Sequence, residues 1–143
     1  MITLKQAQAI TREKVATLEP TFRAQVEKWL KLCEERGILV YVYCGFRTAA
    51  EQDALFAKGP QVTRARAGQS FHNYRAAIDW VPLIPHEKAA GFYEAGWNAT
   101  SIYIRAQALA ASFGLRALTW ETPHLEDARY KDWRALAAVR KPV

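Results

Sequence analysis

Two of the chain's histidines stand among acids in a pattern suited to metal chemistry. One stretch reads Ser70-Phe71-His72-Asn73-Tyr74-Arg75-Ala76-Ala77-Ile78-Asp79, and a later one reads Trp120-Glu121-Thr122-Pro123-His124. Two imidazoles and one carboxylate are a standard protein ligand set for catalytic zinc, which leaves its fourth position to water. A second carboxylate nearby can take a proton from that water. The candidate ligands are therefore His72, Asp79 and His124, with Glu121 as the base. The third histidine, His86 in Ile84-Pro85-His86-Glu87, has no such company and reads as a structural or surface residue.

Spacing sets a condition on this site. His72 and Asp79 are seven residues apart. On one regular strand that odd offset would put them on opposite faces. A shared metal therefore requires a turn or bulge between them. Glu121 and His124 are also an odd offset apart, with Pro123 between them, which demands an irregular backbone as well. The two clusters converge only where the chain bends.

The elements that must position them follow from periodicity. Leu4, Ala7, Ile10, Val15 and Leu18 mark an amphipathic first helix that Pro20 ends. A second helix follows Thr21, with Phe22, Val26, Trp29, Leu30 and Cys33 on one face and Gly37 as its stop. Ile38 to Cys44 is a buried strand rich in β-branched and aromatic residues. Thr48 and Glu51 form a capping box for a helix that runs to about Lys58. Residues 59–70 form a loop bearing Arg64 and Arg66; these and Arg75 are read as solvated or in contact with an anionic substrate. Ala76 to Val81 is a strand ending before Pro82, and residues 82–99 read as mostly irregular. A helix from Thr100 to Phe113, strands at Leu115–Trp120 and Pro123–Glu126, and a helix over Tyr130–Val139 complete an α+β order.

Bulk properties narrow the function classes. At 143 residues, half of them hydrophobic, the chain suits one domain with one core, taken here as residues 1–143. Disorder is excluded by that apolar content. The net charge of +6 suits an anionic partner without choosing one. Cys33 and Cys44 lie in no C-x-x-C pair and read as buried, inert thiols of a protein made in a reducing compartment. No secretory signal and no membrane-spanning run is visible.

With these residues in place, the chain resembles the M15 metallopeptidases, and within them the phage L-alanyl-D-glutamate endopeptidases. The family pattern S-x-H-x-x-G-x-A-x-D is matched by Ser70, His72, Ala77 and Asp79, and its later E-x-x-H by Glu121 and His124. Gly45-Phe46-Arg47-Thr48 is similar to the family's G-[YF]-R-[ST] element, and Glu51 to Gly59 to the helix that follows it. The likeness spans about residues 12–127. It implies a D-Ala-D-Ala peptidase/hedgehog-type fold, a small antiparallel sheet flanked by helices. It also implies zinc on His72, Asp79 and His124, with Glu121 drawing a proton from the attacking water. Arg47 would steady the polarised carbonyl oxygen or a substrate carboxylate, Ser70 would orient a ligand or substrate, and Tyr74 and Trp120 would wall the pocket.

One position departs from the pattern. Arg75 stands where the family has Gly, a residue that reaches backbone angles costly for others. If the angles there are ordinary, Arg75 is tolerated; if left-handed, it strains the site by roughly 1–3 kcal/mol.

The expected function is that of a monomeric zinc endolysin cutting the L-Ala–D-Glu bond of the peptidoglycan stem peptide. It would be made in the host cytoplasm and reach the wall through a holin pore, with no nucleic-acid partner and no stable membrane insertion. Rival readings are a D-Ala-D-Ala dipeptidase or carboxypeptidase and a non-catalytic wall-binding module. A non-haem iron oxygenase fits less well, because its usual first pair is H-x-D and Glu121 has no place in that chemistry.

Overall fold

The chain is described from a computed structural model covering residues 1–142. Its helices start where side chains can satisfy free backbone N–H groups. Thr3 and Gln6 form a capping box for α1 (Leu4–Val15). Glu19 accepts from the N–H groups of Thr21 and Phe22 at the head of α2 (Pro20–Glu35). Pro20 is thus the first residue of α2, where its missing N–H costs nothing. The expected Thr48–Glu51 capping box opens α3 (Ala49–Phe56).

Six strands form one antiparallel sheet: β1 (Ile2–Thr3), β2 (Val40–Cys44), β3 (Ala77–Pro85), β4 (Phe92–Ala95), β5 (Leu115–Leu118) and β6 (Glu121–Asp127). Strand β3 is the hub. Its first residues pair with β6, its middle with β2 and its end with β4. β6 also pairs with β5, and β4 with β1. The main core joins Phe22, Val26, Trp29 and Cys33 of α2 to Val42, Ile78 and Trp80 of the sheet and to Tyr103 and Ala106 of α4 (Thr100–Ala110). Trp29 meets Trp80 edge-on with ring centroids 5.1 Å apart. The architecture is the expected α+β one.

Three expectations need correction. β3 does not stop before Pro82: the Pro82 carbonyl still accepts from Gly96 N at 2.8 Å, and Leu83 N donates to Leu39 O at 2.9 Å. The backbone can therefore spare one N–H and continue. Residues 82–99 are correspondingly less irregular, because the end of β3 finds β4 as a partner. The last helix, α5 (Trp133–Ala137), is shorter than Tyr130–Val139 and starts where Asp132 caps Ala135 N.

Candidate metal centre and catalytic cleft

The first bend is built around a 3-10 turn, Phe71–Tyr74. Ser70 Oγ accepts from His72 N at 3.3 Å, and the Asn73 carboxamide oxygen accepts from Gly68 N at 3.1 Å and Ser70 N at 3.3 Å. The turn is closed by Arg75 at φ 59°, ψ 32°, a left-handed conformation. Among the described residues, Arg75 is the one non-glycine with positive φ. Its guanidinium offsets the strain in two ways. It donates to Thr17 O at 2.7 Å and lies 3.9 Å over the Phe46 ring. The turn brings His72 to the Asp79 side of β3, as the odd spacing required.

Asp79 and His124 meet because they are direct cross-strand partners in β3 and β6. The second bend is a bulge: Ala117 and Leu118 are consecutive, yet they pair with Leu125 and Glu121. Residues 122–124 are accommodated against that single step, and Pro123, without an N–H, lies among them. Oxygen or nitrogen atoms of Asp79, Glu121 and His124 consequently lie within 4.8 Å of one another.

The imidazoles are held by hydrogen bonds that settle which nitrogen is free. His72 Nδ1 lies 2.8 Å from Gly45 O, an acceptor, so it keeps its proton and leaves Nε2 as the nitrogen that can give up a proton to a metal. That Nε2 is 3.2 Å from Asp79 Oδ1. His124 Nε2 donates to Glu126 Oε1 at 2.9 Å, which leaves Nδ1 as the free atom. His124 Nδ1 is buried without a hydrogen-bond partner and lies 3.4 Å from Asp79 Oδ1. Two imidazole nitrogens, His72 Nε2 and the orphaned His124 Nδ1, thus flank one carboxylate oxygen, Asp79 Oδ1, in two overlapping clusters, Cys44–His72–Asp79 and Asp79–Glu121–His124, the donor atoms of each lying within 4.8 Å of one another. This is the donor set a zinc ion uses, and the residues present fit it.

Gly45 is required by close approach. A Cβ there would sit 2.6 Å from Lys14 O and 2.7 Å from Thr17 Oγ1. Its carbonyl can therefore reach His72 only if the side chain is hydrogen.

Electrostatics favours a cation among these groups. Burial opposes charge on His72, but the Asp79 carboxylate outweighs it and raises the imidazole to about 10. Burial likewise works against the Asp79 charge, yet His72 and His124 hold that carboxyl far below the usual range. His124 is also raised: burial works against it, and the neighbouring Asp79 and Glu126 carboxylates prevail. Protons and a metal cation therefore compete for the same lone pairs.

The remaining expected residues divide. Glu121 is exposed and, with Arg47, Ser70 and Trp120, lines a cleft of about 920 Å³ that also includes His72, Asp79 and His124. One Arg47 Nη donates to Gln52 Oε1 at 3.0 Å, and the other lies 3.6 Å from Asp79 Oδ2. Trp120 is 78% exposed at the cleft wall. Tyr74 is not part of the wall. It is 3% exposed, donates to Gly68 O at 2.6 Å and packs with Phe71, Ala76, Ala77 and Leu136. In a turn of three residues, neighbours two apart do not share a face, so a turn that aims His72 at the cleft buries Tyr74.

Three contributors escaped the sequence reading. Glu126, bonded to His124 and to Arg116, lies two residues past His124, a spacing that shares one face of a strand. Its carboxyl is held below the ordinary range because His124 and Arg116 outweigh burial. Gln52, fully buried, carries Arg47, and the α3 pattern contained no sign of this. Cys44 is not an inert core thiol like Cys33, which burial pushes up to about 12. A bulge at Tyr43 turns it toward Asp79. Its Sγ lies 3.8 Å from His72 Nδ1 and 3.5 Å from Arg47. It approaches His72 on the side already taken by Gly45 O, so it flanks the donor set.

The donor set of the cleft is that of a metal-dependent hydrolase. The family model of VanY, D-alanyl-D-alanine carboxypeptidase, matches residues 15–135, and the chain belongs to that family of peptidases. The chain is also 30% identical over 125 residues to the peptidoglycan L-alanyl-D-glutamate endopeptidase CwlK of Bacillus subtilis, covering 76% of this chain and 72% of that protein. The solved structure of the LdcB LD-carboxypeptidase shares the fold, with a TM-score of 0.55 and 22% identity over 85% of this chain and 68% of that one.

Proposed function

We propose that the protein is a zinc-dependent peptidoglycan peptidase that hydrolyses the stem peptide at the L-Ala–D-Glu bond. The observation that carries the reading is that His72 Nε2 and the orphaned His124 Nδ1 both face Asp79 Oδ1, at 3.2 and 3.4 Å, in an open cleft that Glu121 also lines. The likeness to CwlK supports the choice of bond.

Zinc held by His72, Asp79 and His124 would polarise the scissile carbonyl and make a water a stronger acid. Glu121 takes the proton of the attacking water and passes it to the leaving amine. Arg47, held by Gln52, places positive charge where the carbonyl oxygen becomes negative. Trp120 offers a flat apolar surface to the extended peptide. Ser70 fixes His72 through the backbone and also faces the cleft.

Mass analysis of fragments from a defined peptidoglycan, with and without a chelator, tests the bond. Cleavage at L-Ala–D-Glu exposes a D-Glu amino terminus. The VanY description favours a second reading, a carboxypeptidase, which would release free D-Ala instead. No fragments in the presence of zinc would refute both. A role in phage lysis, reached through a holin pore, is a narrower form of the proposal. It predicts host lysis only when a holin is co-expressed.

A further inference from the structure

Arg47 and Arg64 are the cationic residues lining the cleft, and their charges are used differently. Arg47 is engaged by Gln52, Asp79 and Cys44. Among the described residues, the Arg64 side chain has no hydrogen-bond or ion-pair partner, whereas nearby Arg66 stacks 4.9 Å over Phe56. Arg64 is nevertheless carried by an anchored segment. Ala65 O accepts from Gln52 Nε2 at 2.8 Å, Ala65 N donates to Thr63 Oγ1 at 3.1 Å, and Ala67 N donates to Asp53 Oδ1 at 2.8 Å. One buried amide, Gln52, thus holds both Arg47 and the residue next to Arg64. Glu121, the one acid of the lining without a cationic partner among the described residues, would repel an anionic substrate group and direct it to another wall.

An unpaired guanidinium on a fixed backbone suits bidentate recognition of a carboxylate. We propose that Arg64 is a specificity-determining residue that receives a carboxylate of the stem peptide, an inference that rests on the peptidase reading above. Two sources offer that group: the free α-carboxylate of γ-linked D-Glu, and the carboxylate at the end of the peptide.

The test uses the full zinc-loaded chain and four synthetic stem peptides, with the D-Glu α-carboxyl free or amidated and the C-terminus free or amidated. The wild type should prefer one free carboxylate over its amide by about 10-fold or more in kcat/KM. The pair of peptides that differs identifies the source. Arg64→Gln should shrink that preference to within about twofold, mainly through KM, and Arg64→Lys should keep part of it. A wild type that cleaves all four equally, or an Arg64→Gln protein that keeps the preference, overturns the assignment but not the peptidase reading. Loss of zinc from Arg64→Gln also overturns it, because the effect would then be structural. No cleavage of any peptide by the wild type refutes the peptidase reading and this inference together.

Discussion

Replacing Arg75 with glycine and, separately, with alanine tests the account of the first bend. A non-glycine residue in the left-handed region carries roughly 1–2 kcal/mol of strain. The Arg75 side chain opposes that cost through its bond to Thr17 O at 2.7 Å and its stack 3.9 Å above Phe46. A charged hydrogen bond to a backbone carbonyl contributes about 1.5 kcal/mol and the stack about 0.5–1 kcal/mol. Alanine loses both contacts and keeps the strain, so Arg75→Ala should be destabilised by about 2 kcal/mol. Glycine loses the same contacts but regains about 1 kcal/mol of backbone strain, leaving a deficit of about 1 kcal/mol. The glycine variant should therefore be the more stable of the two by about 1 kcal/mol, or roughly 3–4 °C in Tm for a chain of this size. Urea unfolding of both variants in excess zinc, and again in chelator, measures the difference. At an ordinary backbone conformation the order reverses, with alanine ahead by about 0.5–1 kcal/mol. Equal stabilities, or alanine ahead, would refute the left-handed turn and the compensation derived from it.

Further predictions concern the metal and its supports. Glu126→Gln, which weakens the group that fixes His124 Nδ1 toward the site, should lower zinc affinity about 10–100-fold with little change in overall fold; competition with a chromophoric chelator reads this. Because His72 is raised to about 10, it holds a proton through neutral pH that a metal must displace. Zinc affinity should therefore fall by up to about tenfold per pH unit as pH drops from 8 to 6, with proton release on binding, and a flat profile would count against the assigned Asp79–His72 coupling. Gly45→Ala should cost about 1–3 kcal/mol and weaken zinc binding, since the added Cβ meets Lys14 O at 2.6 Å and must displace the carbonyl that holds His72. Unchanged zinc affinity in that variant would remove Gly45 from the account.

The elements with local signals were legible. The Thr48–Glu51 box, Gly37 as a helix stop, and the β-branched run of β2 all rest on contacts within a few residues. The two backbone irregularities were legible for another reason: the odd offsets in His72–Asp79 and Glu121–His124 left no regular solution. β4 was not, because a four-residue strand between β1 and β3 is stabilised by pairing with both rather than by its own pattern. Tyr74 was misplaced because the resemblance marks which residues are near His72 without saying which way a 3-10 turn points them. Gln52 and Glu126 lie only five and two residues from Arg47 and His124, yet a buried polar residue in an otherwise ordinary helix or strand carries no mark of which neighbour it holds.

The most direct test of the central claim compares wild type with Glu121→Gln at equal, measured zinc content on purified peptidoglycan. The account predicts that both bind about one zinc per chain, that the wild type releases new amino groups until a chelator is added, and that the variant is slower by about 10²–10⁴-fold. Equal rates for the two proteins, or hydrolysis that survives removal of the metal, would contradict it.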